Sequence, residues 1–150
     1  MINVRDILRD KGTTVYSISP DDTVYDALKI MAEKNIGSLV VLKEGRIAGV
    51  ISERDYARKI VLKNKFSKET KVEEIMTGEV ATVTPDVDLE QCMGLVTEKR
   101  LRHLPVVEND RVVGIISIGD IVKGIIDHKE RIIEQLESYI KGTRPTKRQV

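Results

Sequence analysis

Two copies of one short pattern carry the side chains best suited to chemistry in this chain of 150 residues. Gly49-Val50-Ile51-Ser52-Glu53-Arg54-Asp55 returns as Gly114-Ile115-Ile116-Ser117-Ile118-Gly119-Asp120. In each copy a glycine ends an apolar strand, a hydroxyl follows three residues later, and a carboxylate three residues after that, where a helix begins. An ionised carboxylate only accepts hydrogen bonds, so an Asp fixed there can take both bonds of a vicinal diol. The hydroxyl and the free amides of the first helical turn suit the oxygens of an anion. An Asp at a strand-to-helix junction also serves as a simple cap, and the two uses are compatible. The pattern describes a binding site rather than a reaction centre, because a nucleophilic serine needs no duplicate. There is no G-x-x-x-x-G-K-[ST] loop, no H-E-x-x-H, and no close carboxylate pair outside ordinary charge runs, so catalysis is not expected.

The elements that position these residues repeat with them. Gly49 and Gly114, Asp55 and Asp120, Pro20 and Pro85, Leu39 and Leu104, and Arg46 and Arg111 are all 65 residues apart, without a gap from Val15 to Ile125. Such a match marks an internal duplication. Val4, Ile7 and Leu8, and again Val72, Ile75 and Met76, form short amphipathic helical lead-ins at an offset of 68. The extra residues fall in the polar loop Lys11-Gly12-Thr13-Thr14. Val15 to Ser19 and Val80 to Thr84 read as one strand each, stopped by Pro20 and Pro85. Thr23 with Asp26, and Asp88 with Gln91, have helix-start spacing. The helices that follow bury Val24, Ala27, Leu28 and Met31, or Leu89, Cys92, Met93 and Val96. Leu39 to Leu42 and Leu104 to Val107 are strands turned by Lys43-Glu44-Gly45 or Glu108-Asn109-Asp110 into Ile47 to Ile51 or Val112 to Ile116. Pro105 confines its strand to pairing on one side at that point. A helix after Asp55 fades into the polar linker Lys63 to Thr70. The helix after Asp120 outruns its repeat, and its far half is expected to pack on the N-terminal segment or another subunit.

Composition narrows the class further. Hydrophobic residues at 41%, charged residues at 33% and a net charge of +1 describe a soluble globular chain with no overall pull toward nucleic acid or membrane. No stretch approaches a membrane span, and the N-terminus is charged where a signal peptide is apolar, so a cytoplasmic protein is expected. One cysteine, Cys92, with His103 and His128, leaves too few soft ligands for a structural zinc site. Cys92 occupies the helical position of Ala27 in the other copy and reads as core. Met31, Met76 and Met93 follow core spacing, and Arg58 and Lys59 read as a solvated helix face.

The order strand, helix, strand, strand, helix in duplicate, each copy closing on G-h-h-S-x-x-D, resembles a tandem pair of CBS domains (cystathionine-β-synthase-type repeats) over Val4 to Ile126. Ile51-Ser52-Glu53-Arg54-Asp55-Tyr56-Ala57-Arg58-Lys59 and Arg102-His103-Leu104-Pro105-Val106-Val107 resemble the stand-alone bacterial members in particular. The resemblance implies an α+β fold in which two repeats are related by a pseudo-twofold axis with their sheets packed together. The expected divisions are 1–67 for the first repeat with its lead-in, 68–141 for the second with its extended helix, and 142–150 for a basic disordered tail.

The same resemblance implies two clefts for an adenosine-containing regulatory ligand: AMP, ADP, ATP, NAD, NADH or S-adenosylmethionine. One would join Ser52, Arg54 and Asp55 with Met76, Thr77 and Gly78 and with Leu101, Arg102 and His103. The other would join Ser117 and Asp120 with Lys11, Thr13 and Thr14 and with Ile36, Gly37 and Ser38. Each Asp would hold the ribose diol, while Arg54, Arg102 and a protonated His103 would meet phosphate, so the Asp55 cleft is expected to bind phosphates more tightly. For His103 a plain surface histidine on a strand is the competing reading. No metal, membrane or nucleic-acid partner is expected. A homodimer that senses energy or redox state and acts on a regulated protein is the functional expectation, and an adaptor with empty clefts is the alternative.

Overall fold

Residues 1–142 are described by the structure, a computed structural model. The chain runs α1 (Val4–Lys11), β1 (Ser17–Ile18), α2 (Val24–Lys34), β2 (Ser38–Lys43), β3 (Arg46–Ser52) and α3 (Glu53–Tyr56), which continues as a π-helical segment, Ala57–Val61. The second half runs α4 (Val72–Ile75), α5 (Leu89–Lys99), β4 (His103–Glu108), β5 (Arg111–Ser117) and α6 (Ile118–Lys141). The α+β architecture is therefore duplicated, as the 65-residue offset requires. The basic tail expected from residue 142 lies, from 143 onward, outside the described residues.

The local signals act as their chemistry dictates. Thr23 and Asp88 accept from the amides of Asp26 and Gln91 and cap α2 and α5. Val24, Ala27 and Met31, and Leu89, Cys92 and Val96, form the buried helical faces, with Leu28 and Met93 partly buried beside them. The antiparallel hairpins β2–β3 and β4–β5 turn through Glu44-Gly45 and Asn109-Asp110, and all four residues have positive φ. That is the type I′ geometry whose twist matches a two-residue hairpin. Each hairpin carries a bulge, after Val41 and after Val106.

The first strands are shorter than their alternation suggested. β1 pairs in parallel with β2 at Ser17↔Val40 and Ile18↔Val41, whereas the second repeat keeps only the bridge Val83↔Val106. Pro105 stands where β2 has Val40. Its carbonyl accepts from Val83, but it has no amide to donate, so the second pairing is lost.

Packing regroups the lead-ins. Val4, Ile7 and Leu8 of α1 belong to the core of the second repeat, with Val83, Leu89, Cys92, Leu104 and Ile116. Val72 and Ile75 of α4 belong to the core of the first, with Val24, Met31, Leu39 and Ile51. Matching backbone bonds seat both: Val4 N–H to Val87 and Arg5 N–H to Pro85, Val72 N–H to Asp22 and Glu73 N–H to Pro20. Chain order placed each lead-in with the repeat it precedes. Spacing fixes which face is apolar, but not whose core receives it.

On α6 only Ile121 and Gly124 are buried, and Ile125 packs against the second core. Contact with α1 occurs there, in the near half. The far half, with Ile132, Ile133, Leu136, Tyr139 and Ile140, is exposed and does not pack on the N-terminal segment.

Candidate functional site

Each motif closes on a capping box. Ser52 accepts from the Asp55 amide at 3.2 Å, and the Asp55 carboxylate accepts from the Ser52 amide at 3.0 Å. Ser117 and Asp120 make the same pair at 3.0 and 2.8 Å. Serine is thus the cap and aspartate the third helical residue, which holds one carboxylate oxygen rigidly against the backbone. The motif glycines lie within β3 and β5, not at their ends. A Cβ on Gly49 would stand 2.7 Å from the Thr77 carbonyl, and one on Gly114 would stand 2.6 Å from the Leu8 side chain. Glycine is needed because the other repeat's lead-in crosses the strand at that point.

A lysine meets each carboxylate. Lys59, one turn beyond Asp55, lies 3.2 Å from it and donates to the Ile75 carbonyl at 2.8 Å. Lys59 therefore belongs to the cleft and is not merely solvated; its i, i+4 spacing from Asp55 was the available signal. Lys11 donates to Asp120 at 2.6 Å and to the Ile115 carbonyl at 3.0 Å. Burial acts to raise the pKa of Asp120, but the bonds from Lys11 and Ser117 outweigh it and leave the carboxyl below its ordinary value.

Met76 to Gly78 lies beside the first motif, where Thr77 and Val50 exchange backbone bonds of 2.9 and 3.0 Å. Lys11 lies beside the second, and Thr13 lines an adjoining hollow of about 260 Å³ with Arg5, Arg9, Leu8 and Val113. Arg54 and Thr14 are exposed. The remaining segments are partitioned differently from expectation. Ile36 and Leu101 pack against the first and second cores. Gly37 accepts from the Glu53 amide and Ser38 pairs with Ser52, so both adjoin the first motif. Arg102 accepts from the Ile118 amide and His103 pairs with Ser117, so both adjoin the second. Strand pairing within each repeat imposes this.

Ser38 Oγ and His103 Nδ1 then meet 3.5 Å apart between the two halves. Partial desolvation, followed by the charges of Lys11 and Arg102, holds His103 below its ordinary pKa against the opposing pull of Asp120. His103 and Arg102 therefore share their field with Lys11 and Asp120, and the phosphate advantage expected for the Asp55 cleft is left to Arg54. Cys92 is fully buried, and burial first, then the Asp88 charge, pushes its thiol up to about 11, the state of an inert core cysteine. No cluster of three or more metal-ligating side chains occurs among the described residues.

The CBS domain family model matches residues 4–62 and 72–127, one repeat each. The chain belongs to the CBS-domain family. This CBS pair is 40% identical over 148 residues to the CBS domain-containing protein CBSX3, mitochondrial, of Arabidopsis thaliana, covering 93% of this chain and 72% of that one. The crystal structure of the CBS domain NE2398 superposes with a TM-score of 0.78 at 48% identity, over 83% of this chain and 97% of the other. The CBS domain pair of protein MJ0100, solved in complex with 5′-methylthioadenosine and S-adenosyl-L-methionine, superposes with a TM-score of 0.74 at 28% identity, over 86% and 98% of the two chains. This CBS pair has no helix among the described residues long and apolar enough to cross a membrane.

Proposed function

We propose that this CBS pair is a non-catalytic regulatory module that binds an adenosine-containing ligand in its two clefts and reports energy or redox state to a partner protein. The observation that carries this reading is the duplicated, serine-held carboxylate. Each is part-buried, oriented by its capping box, and faces the other repeat's lead-in. An aspartate so fixed presents acceptor oxygens to a ribose diol, while Lys11, Lys59, Arg102 and His103 supply charge for phosphates or a dinucleotide. The ligands of MJ0100, both adenosine derivatives, support the class and keep S-adenosylmethionine among the candidates.

A second reading has its own observation. Lys11 already satisfies Asp120 at 2.6 Å, as a purely structural tie would, so the module can be an adaptor with empty clefts. Thermal unfolding with AMP, ADP, ATP, NAD, NADH and S-adenosylmethionine separates the two. A bound ligand at ~100 times its dissociation constant stabilises the fold by about 2.7 kcal/mol. No shift with any of the six removes the sensor reading in favour of the adaptor. In either case we take the working form to be a homodimer.

A further inference from the structure

We infer that the outer face of α6 is the dimer seam, pairing antiparallel with α6 of a second copy about a twofold axis near Arg131. This inference rests on the dimeric reading above and not on the ligand. Val122, Ile126, Ile133, Leu136 and Ile140 follow alternating four- and three-residue steps, broken only by Lys129, which is the a/d stripe of a coiled coil. All five are at least 40% exposed, although α6 spans 24 residues, about 36 Å at 1.5 Å per residue.

The stripe is its own complement when reversed. Ile126 and Leu136 lie five residues either side of Arg131, Val122 and Ile140 nine, and Lys129 and Ile133 two. An antiparallel copy therefore sets Ile126 against the partner's Leu136 and Val122 against the partner's Ile140. An isologous contact requires this kind of self-complementarity. An open groove of about 510 Å³, lined by Ile118, Gly119, Val122, Lys123, Ile126 and Asp127, lies where the far end of the partner helix would rest. At its edge Lys123 comes within two residues of register of the partner's Glu137, an attractive pair flanking the seam. A parallel copy would instead place the two Lys129 side chains face to face in the seam, which disfavours it. Antiparallel pairing sets each against an isoleucine, with its stem over apolar surface and its ammonium free to reach water.

Sedimentation equilibrium of the intact chain, with cysteine cross-linking, tests the assignment. Wild type should show a concentration-dependent dimer, and Leu136→Asp should raise its dissociation constant by over about a hundredfold. Lys123→Glu should weaken the dimer about tenfold, and adding Glu137→Lys should restore it. Ile126→Cys and Leu136→Cys chains should cross-link when mixed but not alone, and the fully buried Cys92 stays out of the reaction. Cross-linking of each single variant with itself would show parallel pairing and overturn the inference. So would a monomer at every concentration, or a dimer indifferent to Leu136→Asp in a chain that circular dichroism shows folded. A ligand-induced thermal shift in a monomeric protein would sink the seam while leaving the sensor reading intact.

Discussion

In the first cleft the lysine that holds the aspartate comes from the same helix, one turn along; in the second it comes from the other end of the chain, 109 residues away. The two are not repeat equivalents. The counterpart of Lys59 is Gly124, and a Cβ there would lie 2.6 Å from both Ile7 and Leu89, so no long side chain fits beneath α1. The positive charge is supplied instead by Lys11, the last residue of α1. The same electrostatic arrangement is thus reached by different routes, because the packing of α1 closes one route and the C-terminal residue of that same helix opens another. A duplicated fold can keep the charge at a position while exchanging the residue that carries it.

The largest effects are expected at the carboxylates. Asp55→Ala and Asp120→Ala should each weaken a ribonucleotide roughly ten- to a hundredfold, the range of a hydrogen bond to a charged group at ~1.5–3 kcal/mol. Titration calorimetry should show a much smaller loss for the 2′,3′-dideoxy analogue; equal losses for both would remove the ribose role. The crossing points come next. Gly49→Ala meets the Thr77 backbone and should cost about 1–3 kcal/mol in denaturant unfolding. Gly114→Ala meets only the movable end of Leu8 and should cost under about 1 kcal/mol. Identical losses would mean that the two crossings are equally rigid.

A smaller effect is expected from pH. His103 is held below its ordinary value in the free protein, and a nearby phosphate would favour its charged form and raise its pKa. Affinity for a phosphorylated ligand should then strengthen a few-fold, roughly, as pH falls from 8 toward 6, while adenosine stays flat. His103→Gln should abolish the difference, and a slope that survives it would place the titrating group elsewhere. The lysines should matter least to stability. Both pairs are partly solvated, so Lys11→Met and Lys59→Met should each change unfolding by at most about 1 kcal/mol. The Lys11 pair should also be visible in acid. Asp120 has a depressed pKa in the fold, so its contribution is present above its ordinary value and lost as pH falls through the folded one. Lys11→Met should blunt that acid-induced loss, measured as Tm against pH between 5 and 2, and an unchanged profile would place its source elsewhere.

Much of this arrangement is legible in the residues, and the boundary of what is legible has a physical cause. The duplication, the Thr23 and Asp88 caps, the hairpin turns and the Ser-Asp pairs are local, and local spacing states them. Contacts set by tertiary packing are not stated there. Val4, Ile7 and Leu8 announce an apolar face without naming its core, and Gly49 reads as a strand end until the crossing lead-in explains it. Lys59 looks solvated unless its one-turn distance from Asp55 is weighed against the backbone of α4. The family resemblance joins His103 to the first motif, because strand pairing is not visible in residue spacing. Its pairing with Ser117 and its contact with Ser38 put it between the two halves.

The exchange of lead-ins also sets a timetable for the nascent chain. The first half cannot complete its core until Ile75 has left the ribosome, and α1, made well before its partners, lacks its full docking surface until β5 and the start of α6 emerge. A helix synthesised ahead of the first repeat therefore docks only with the second. Until it docks, Val4, Ile7 and Leu8 are exposed apolar side chains on an unfinished protein, the condition in which a nascent chain is most open to aggregation or to a chaperone.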